Sequence, residues 1–551
     1  MPYLWIGAAS LLAHIWCLGS QFYLDDMPHI RDSEVVRNGE VFSYFTVAWT
    51  SLCYHGIYRV FGMSEPVFHA VNWLVHTASA CMLFVVGRGL LGDAGRWRIA
   101  WFAALLFAVH PLCSEIPNYA RCQDLAWVTL FSLVASWGGM GFLGGGNRWA
   151  LLVCAAGMAG AAMSKGPGVI HAAMAVGVVG LISLQAGQVT RRRVAWVGAV
   201  FLTGVAVLWL CGVLPEWAGV AKSTWATPRF IGHAYTIARV FWEFAWRAVV
   251  PVHLSADHQI AETMIPPGGG WGDVDDGVAV VAAVGMLALV GLALFLMWKP
   301  GSRLFGGCLL LFVGTMLFRV MYVMPEFMPE YRIYPGMPWF CLGAAVLLDG
   351  VWRRFAGGRS PRWIAAGLLV TGALLSANRS FVWHERDRLC MDVLRQYPAQ
   401  ARALWMMHDR DVDEGNWQAL IDRHEAMWPV IFEHFIGQMK ELQPGRDLNS
   451  GHFALADVAC HGRLAIARAH VNGPAAGVME IRRLEARMRQ LGITEETNGA
   501  IWAHFHYTRA VVMEYAGAYP QALESMRFAG VYRITERDIR RVEAKLAERR
   551  Q

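Results

Sequence analysis

The sequence predicts an all-α protein: a polytopic membrane bundle of about eleven spans over residues 1–377, then a soluble domain of helical hairpins over residues 378–551. Three observations predict it. First, 56% of the 551 residues are hydrophobic and 16% charged, with a mean hydropathy of +0.35, whereas soluble domains are about a quarter charged. Second, apolar runs near the roughly 20 residues that a spanning helix needs recur along the chain. Third, from Asn378 those runs stop and a charged, Ala-rich helical periodicity replaces them.

In chain order the candidate spans are Tyr3–Gly19, Val67–Gly87, Ile99–His110, Leu125–Leu143, Trp149–Met163, Val169–Leu184, Val194–Leu214, Gly277–Trp298, Leu304–Met324, Pro335–Leu348 and Trp363–Ser376. The first lacks a basic leader and a small-residue cleavage site, so it reads as a retained helix. Basic residues fall on alternate connections: Arg88, Arg96 and Arg98; Arg148; Arg191 to Arg193; Lys299 and Arg303; Arg353, Arg354, Arg359 and Arg362. The positive-inside rule puts these in the cytoplasm and the C-terminal region outside. That parity requires Arg229–Val250, interrupted by Arg239, Glu243 and Arg247, to lie in the outer interface. The net charge of +6 is explained by these helix-end arginines and does not imply nucleic acid. Eleven cysteines show no zinc-ligand spacing, and Cys113 and Cys122 read better as two lone thiols than as a pair.

The outer loops then gather Asp25 and Asp26; Glu115, Arg121 and Asp124; Lys165; and Glu326, Glu330 and Arg332. Ionisable groups at a bilayer boundary are costly to place and are functional candidates. The bland reading is solvated loop acids, a lysine that snorkels to the interface, and an arginine paired structurally with Glu330 or Glu326. His69 and His76 share a helix face and read as bonds between helices rather than metal ligands. His110 precedes Pro111 and should end a helix.

Five motifs occur in order: Phe22-Tyr23-Leu24-Asp25-Asp26; Gly62, His69, Asn72 and His76; His110-Pro111 with Glu115 and Arg121; Ser164-Lys165 with Gly168; and Glu330, Arg332 and Tyr334. Together they resemble the C-type glycosyltransferases that use polyprenyl-phosphate sugars, in particular the protein O-mannosyltransferase-like branch with C-terminal tetratricopeptide repeats. The resemblance covers roughly the first 400 residues, each motif being weak alone. It implies a hexosyltransferase that moves a mannose-like sugar from a polyprenyl-phosphate lipid to an acceptor hydroxyl, on a protein Ser or Thr or on a glycan, with inversion at the sugar carbon.

In that reading Asp25 is the base, and Asp26 and Glu115 orient the acceptor or shape the field. Arg121, Lys165 and Arg332 meet the phosphate, and His110, Asp124, Glu330 and Tyr334 support them. Asp25, Asp26 and Glu115 also form a candidate oxygen-ligand set for a divalent cation; metal use is left open. No glycine-rich nucleotide fingerprint is present, in keeping with a lipid-linked donor. One departure stands out: the family's Tyr-Arg-Pro-Leu-like segment is replaced by Phe42-Ser43-Tyr44-Phe45-Thr46. The alternative function is therefore a non-catalytic membrane scaffold that binds partners in a larger complex. A transporter would be expected to show discontinuous inverted repeats, and none is visible.

Beyond the linker of Trp383, Leu389, Val393, Pro398 and Ala403, helix pairs are expected around Gly415 and Trp417, around Gly473, and around Ala510, Gly517, Tyr519, Ala522 and Ala529, with Thr535 to Arg549 as a cap. Stacked pairs make a concave surface suited to polypeptides, the alternative being a helical cover for the membrane domain. The expected location is the bacterial inner membrane, with this region in the periplasm.

Overall fold

The computed structural model describes the chain except residues 43–44, 93–95, 186–192, 194, 200–218, 220–229, 259–276, 318, 320–327, 356–361, 443–450, 491–492, 494–498, 530–535 and 550–551. It is all-α; the described residues contain no strand. Two compact units form: Met1–Ala256 with Gly268–Glu385, and Asp257–Pro267 with Arg386–Gln551. The first unit takes in the whole of the helix Arg362–Trp383.

The first unit contains α1 (Pro2–His14), α2 (Glu34–Asn38), α3 (Ala48–Phe61), α4 (Glu65–Leu91), α5 (Trp97–Ala108), the short α6 (Glu115–Asn118), α7 (Gln123–Gly145), α8 (Arg148–Ser164) and α9 (Gly168–Gln185). It continues with α10 (Phe230–Val249), α11 (Gly277–Trp298), α12 (Arg303–Leu317), α13 (Met337–Phe355) and α14 (Arg362–Trp383). Among the described residues, five helical stretches are long and apolar enough to cross a membrane: Pro2–Gly19, Glu65–Leu91, Ala120–Gly145, Gly277–Trp298 and Arg362–Trp383. A sixth is counted if Trp97–Ala108 and Pro111–Asn118, bent by 56°, form one span.

Arg148–Ser164, Gly168–Ser183 and Arg303–Leu317 are apolar but shorter; 17 residues of α-helix reach only about 25 Å, against a hydrocarbon core near 30 Å. Val194–Leu214 lies largely outside the described residues. The Pro335–Leu348 run becomes α13, which carries Asp349, Arg353 and Arg354 in its second half.

α7 packs on α8, α9 and α4, while α5 packs on α1, α4 and α13. α10 lies against α11 and α12. It buries Ile237, Val240, Phe241 and Phe244 and leaves Trp246 and Val249 exposed, the two-faced character that its charges predict. All ten described cysteines are free, Cys113 and Cys122 among them.

The second unit runs through α15 (Arg386–Gln396), α16 (Ala401–Glu414), α17 (Trp417–Leu442), α18 (Gly451–Asn472), α19 (Pro474–Gln490), α20 (Gly499–Tyr515), α21 (Tyr519–Ala529) and α22 (Glu536–Glu548). α16 packs on α17, α18 on α19 and α20 on α21, and α18 also packs on α16 and α20. The connection between α18 and α19 is Gly473 alone, at φ 91°, followed by Pro474. Only glycine adopts that backbone cheaply, and proline suits a helix start. Gly415 and Gly517 turn the other two pairs at φ 71° and 68°. α22 packs on α21, with Val542 buried beside Ala522 and Met526.

Candidate functional site

The site of the first unit is built on a buried stretch that is not a regular helix. α5 stops at Ala108 and the chain bends into Pro111–Asn118. Pro111 has no N–H, and inside a membrane protein every backbone group freed by such a break needs a partner. Side chains supply them. The Ala108 carbonyl accepts from Nε2 of His14 (3.2 Å) and of His76 (3.3 Å), and the Val109 carbonyl from Ser376 Oγ (2.8 Å).

His110 Nδ1 accepts the Leu112 N–H (3.2 Å), so its Nε2 carries the proton and donates to the Ala248 carbonyl (3.0 Å). His69 Nδ1 bonds the Pro117 carbonyl (3.1 Å). Asn72 Nδ2 reaches the carbonyls of Ile116 (3.0 Å) and Tyr119 (2.9 Å), while its Oδ1 accepts from Gln123 Nε2 (2.9 Å). The Tyr54 hydroxyl donates to the Ala120 carbonyl (3.0 Å). The histidine motif on α4 is thus a brace for residues 108–120. Tyr334 belongs to the same core: it is buried and its hydroxyl meets His76 Nδ1 at 2.8 Å.

Against this braced stretch sits the first acidic loop. The Phe22 N–H donates to Glu65 Oε1 (3.0 Å), anchoring the loop to the start of α4. Asp26 is fully buried; its Oδ2 accepts the Tyr23 N–H (3.0 Å) and its Oδ1 the Arg121 N–H (2.6 Å). Burial pushes the Asp26 carboxyl well above the usual carboxylate range, and the two N–H bonds pull it partly back. Leu24 sits at φ 43°, a left-handed conformation costing about 1–3 kcal/mol for a residue with a side chain. Bonds around it hold that turn: Asp26 N–H to the Tyr23 carbonyl (2.7 Å), Met27 N–H to the Leu24 carbonyl (3.2 Å), and Asp25 N–H to the Tyr119 hydroxyl (3.1 Å). The result presents the half-buried Asp25, whose side chain makes no hydrogen bond or ion pair among the described residues.

Arg121 lies within electrostatic reach of Asp25. Asp124, 2% exposed, accepts from Lys165 Nζ at 2.7 Å and Arg121 Nη1 at 3.1 Å. Lys165 ends α8, directly after Ser164, whose carbonyl is held by Thr50 Oγ1 (2.9 Å). Gly168 permits the tight passage into α9: a Cβ there would lie 2.1 Å from the Ala161 carbonyl oxygen. Lys165 Nζ and Arg332 Cζ lie 5.8 Å and 5.7 Å from the centre of the Tyr331 ring. The Tyr331 N–H donates to Oε2 of the buried Glu115 (2.7 Å), and the Tyr331 ring meets Tyr119 at 6.2 Å.

Asp25, Asp26, Glu115, Arg121, Asp124, Lys165 and Arg332, from four separate stretches of chain, are therefore linked through one continuous set of contacts. Asp26 and Glu115 are spent on backbone N–H groups, and Glu330 likewise accepts the Ser255 N–H (2.7 Å). His110 and Tyr334 brace the fold. Asp25, Asp26 and Glu115 do not come together as a ligand set, and no group of three His, Cys, Asp or Glu that could hold a metal occurs among the described residues. Glu326, Ser43 and Tyr44 lie outside the described residues.

The sequence reading missed Tyr119, Tyr331 and His29. His29 sits one turn beyond Asp25, its N–H on the Asp25 carbonyl (3.1 Å), within electrostatic reach of Asp25, Arg121, Asp124 and Lys165. Partial burial and the Arg121 charge hold its imidazole below the usual range, with Asp25 pulling the other way. The signal for Tyr331 was its place between Glu330 and Arg332; for His29, its spacing of four from Asp25.

The fold and site define a helical membrane protein with a charged, aromatic-lined cluster. No family model matches the chain, and no solved structure matches it. A Caenorhabditis elegans protein O-mannosyl-transferase is 29% identical over 145 residues, 23% of this chain and 21% of that relative. The chain thus matches about a fifth of the relative's length. At a coarse level this similarity suggests a glycosyltransferase.

Proposed function

We propose that the chain is an integral membrane glycosyltransferase that moves a mannose-like hexose from a polyprenyl-phosphate donor to an acceptor hydroxyl. The observation that carries the reading is the unpaired Asp25 carboxyl within electrostatic reach of Arg121, which shares the Asp124 carboxylate with Lys165, alongside the similarity to a protein O-mannosyl-transferase.

The acceptor oxygen attacks the anomeric carbon as the bond from that carbon to the phosphate oxygen breaks, inverting the centre. Asp25 takes the acceptor's proton. The lipid phosphate goes from one negative charge towards two, and Lys165, Arg332 and Arg121 meet that growing charge. Asp26 and Glu115 act indirectly, by fixing the backbone at Arg121 and Tyr331. The acceptor is a protein Ser or Thr, for which an array of helix pairs offers a polypeptide-binding surface. The site faces the outer side of a bacterial inner membrane, with the second unit in the periplasm.

Full-length protein in nanodiscs, given decaprenyl-phosphate mannose and Ser/Thr peptides, should release decaprenyl phosphate, and Asp25→Asn should abolish release. The scaffold reading, motivated by the altered segment at Phe42 to Thr46, gains if the wild type turns over nothing and instead co-purifies with stoichiometric partners.

A further inference from the structure

We propose that Tyr331 is a positioning residue for the donor's phosphate: its ring holds Lys165 and Arg332 together so that one phosphate meets both. The inference rests on the glycosyltransferase reading above. Lys165 comes from the end of α8 and Arg332 from the turn Glu330–Gly336, so nothing in the local chain brings them together. Both lie within the roughly 6 Å over which a cation is attracted to an aromatic face, at 5.8 Å and 5.7 Å. Each is a long side chain with much rotamer freedom to lose. A shared ring removes part of that freedom before the ligand arrives, which is where preorganisation contributes to binding.

The ring is itself fixed. Glu115 holds its backbone N–H at 2.7 Å, and Tyr119 packs against it at 6.2 Å. Tyr119 in turn stacks on Trp383 at 5.7 Å and takes the Asp25 N–H on its hydroxyl at 3.1 Å. One aromatic run therefore ties the backbone of the proposed base to the two cations. Asp124 offsets Lys165 through the 2.7 Å ion pair.

The test uses full-length protein in nanodiscs, with decaprenyl phosphate as the probe for binding and decaprenyl-phosphate mannose for turnover. Tyr331→Phe keeps the ring and should bind within about twofold of wild type. Tyr331→Leu removes two cation–ring contacts and should weaken binding about tenfold. The donor KM should rise by a similar factor, with kcat within about threefold. Pentafluorophenylalanine at position 331, close to phenylalanine in shape but with the ring charge reversed, should behave like leucine and covers the case in which the leucine variant does not fold. Wild-type affinity in the leucine or fluorinated protein overturns the proposal, as does a phenylalanine variant as weak as leucine. If wild type itself does not bind decaprenyl phosphate, the donor reading fails first and the role of Tyr331 goes with it.

Discussion

Replacing Asp124 by asparagine tests the electrostatic design of the site without touching the proposed base. The carboxylate is 2% exposed and holds Lys165 Nζ at 2.7 Å and Arg121 Nη1 at 3.1 Å; its Oδ1 also takes the Leu125 N–H at 2.6 Å. Removing one partner of a buried ion pair costs about 3–5 kcal/mol. Here the cations are 24% and 31% exposed and regain water, so the expected loss is nearer 2–3 kcal/mol. The amide of the Asp124→Asn variant keeps one acceptor oxygen for three former donors, and its NH₂ faces a cation.

The measurement is a double-mutant cycle of Asp124→Asn and Lys165→Met, read by tryptophan fluorescence during SDS unfolding in mixed micelles. The coupling between the two positions should be about 1–2 kcal/mol, within the range for residues in one ion-pair network. Coupling below about 0.3 kcal/mol, the level of independent sites, would show that the short contact contributes nothing and would refute the preassembled cation pair.

Other expectations follow from the same contacts. Asn72→Leu strips the Ile116 and Tyr119 carbonyls of a side-chain donor and should cost about 2 kcal/mol in the same assay, the usual scale for an unmade buried bond. Gly168→Ala forces a Cβ to within 2.1 Å of a backbone oxygen; α8 and α9 must separate, at about 1–3 kcal/mol, and donor KM should rise because Lys165 moves with them. In the second unit, burial lowers His408 to about 3 and His424 to about 2 from the ordinary 6.5. The unfolded chain takes up these protons near pH 6.5 and the folded unit does not. Stability is therefore full above that pH and falls below it, by about 2 kcal/mol per ring at pH 5. Urea melts of the full chain at pH 7 and pH 5 should show an early transition move to lower urea only at pH 5, and His408→Phe should shrink that shift.

Much of this architecture could be read from residues alone, and the part that could not has physical causes. The helix break at His110-Pro111 was legible because proline disfavours helix before it, and the hairpin turns because Gly415, Gly473 and Gly517 interrupt helical periodicity. The α4 histidines were legible as inter-helix bonds, but their target was not: nothing in the sequence says that a carbonyl left by a distant break needs His14 and His76 together. Asp25 and Asp26 are chemically identical in sequence. Only the tertiary placement of the Tyr23 and Arg121 N–H groups consumes Asp26 and leaves Asp25 available. Tyr331 is marked in the sequence only by its place between Glu330 and Arg332; the approach of Lys165 to its ring, from 166 positions away in the chain, has no sequence signature. Hydropathy runs do not report helix length either: α8 is 17 residues long, and among the described residues five helical stretches are both long and apolar enough to cross a membrane.

The most direct measurement is single-turnover release of decaprenyl phosphate from decaprenyl-phosphate mannose by wild type and by Asp25→Asn, with donor binding measured on the same samples. The account predicts that the Asp25→Asn variant binds donor within about threefold of wild type and transfers at least about a thousandfold more slowly, in the range that loss of a general base produces. Transfer at the wild-type rate by Asp25→Asn would contradict it.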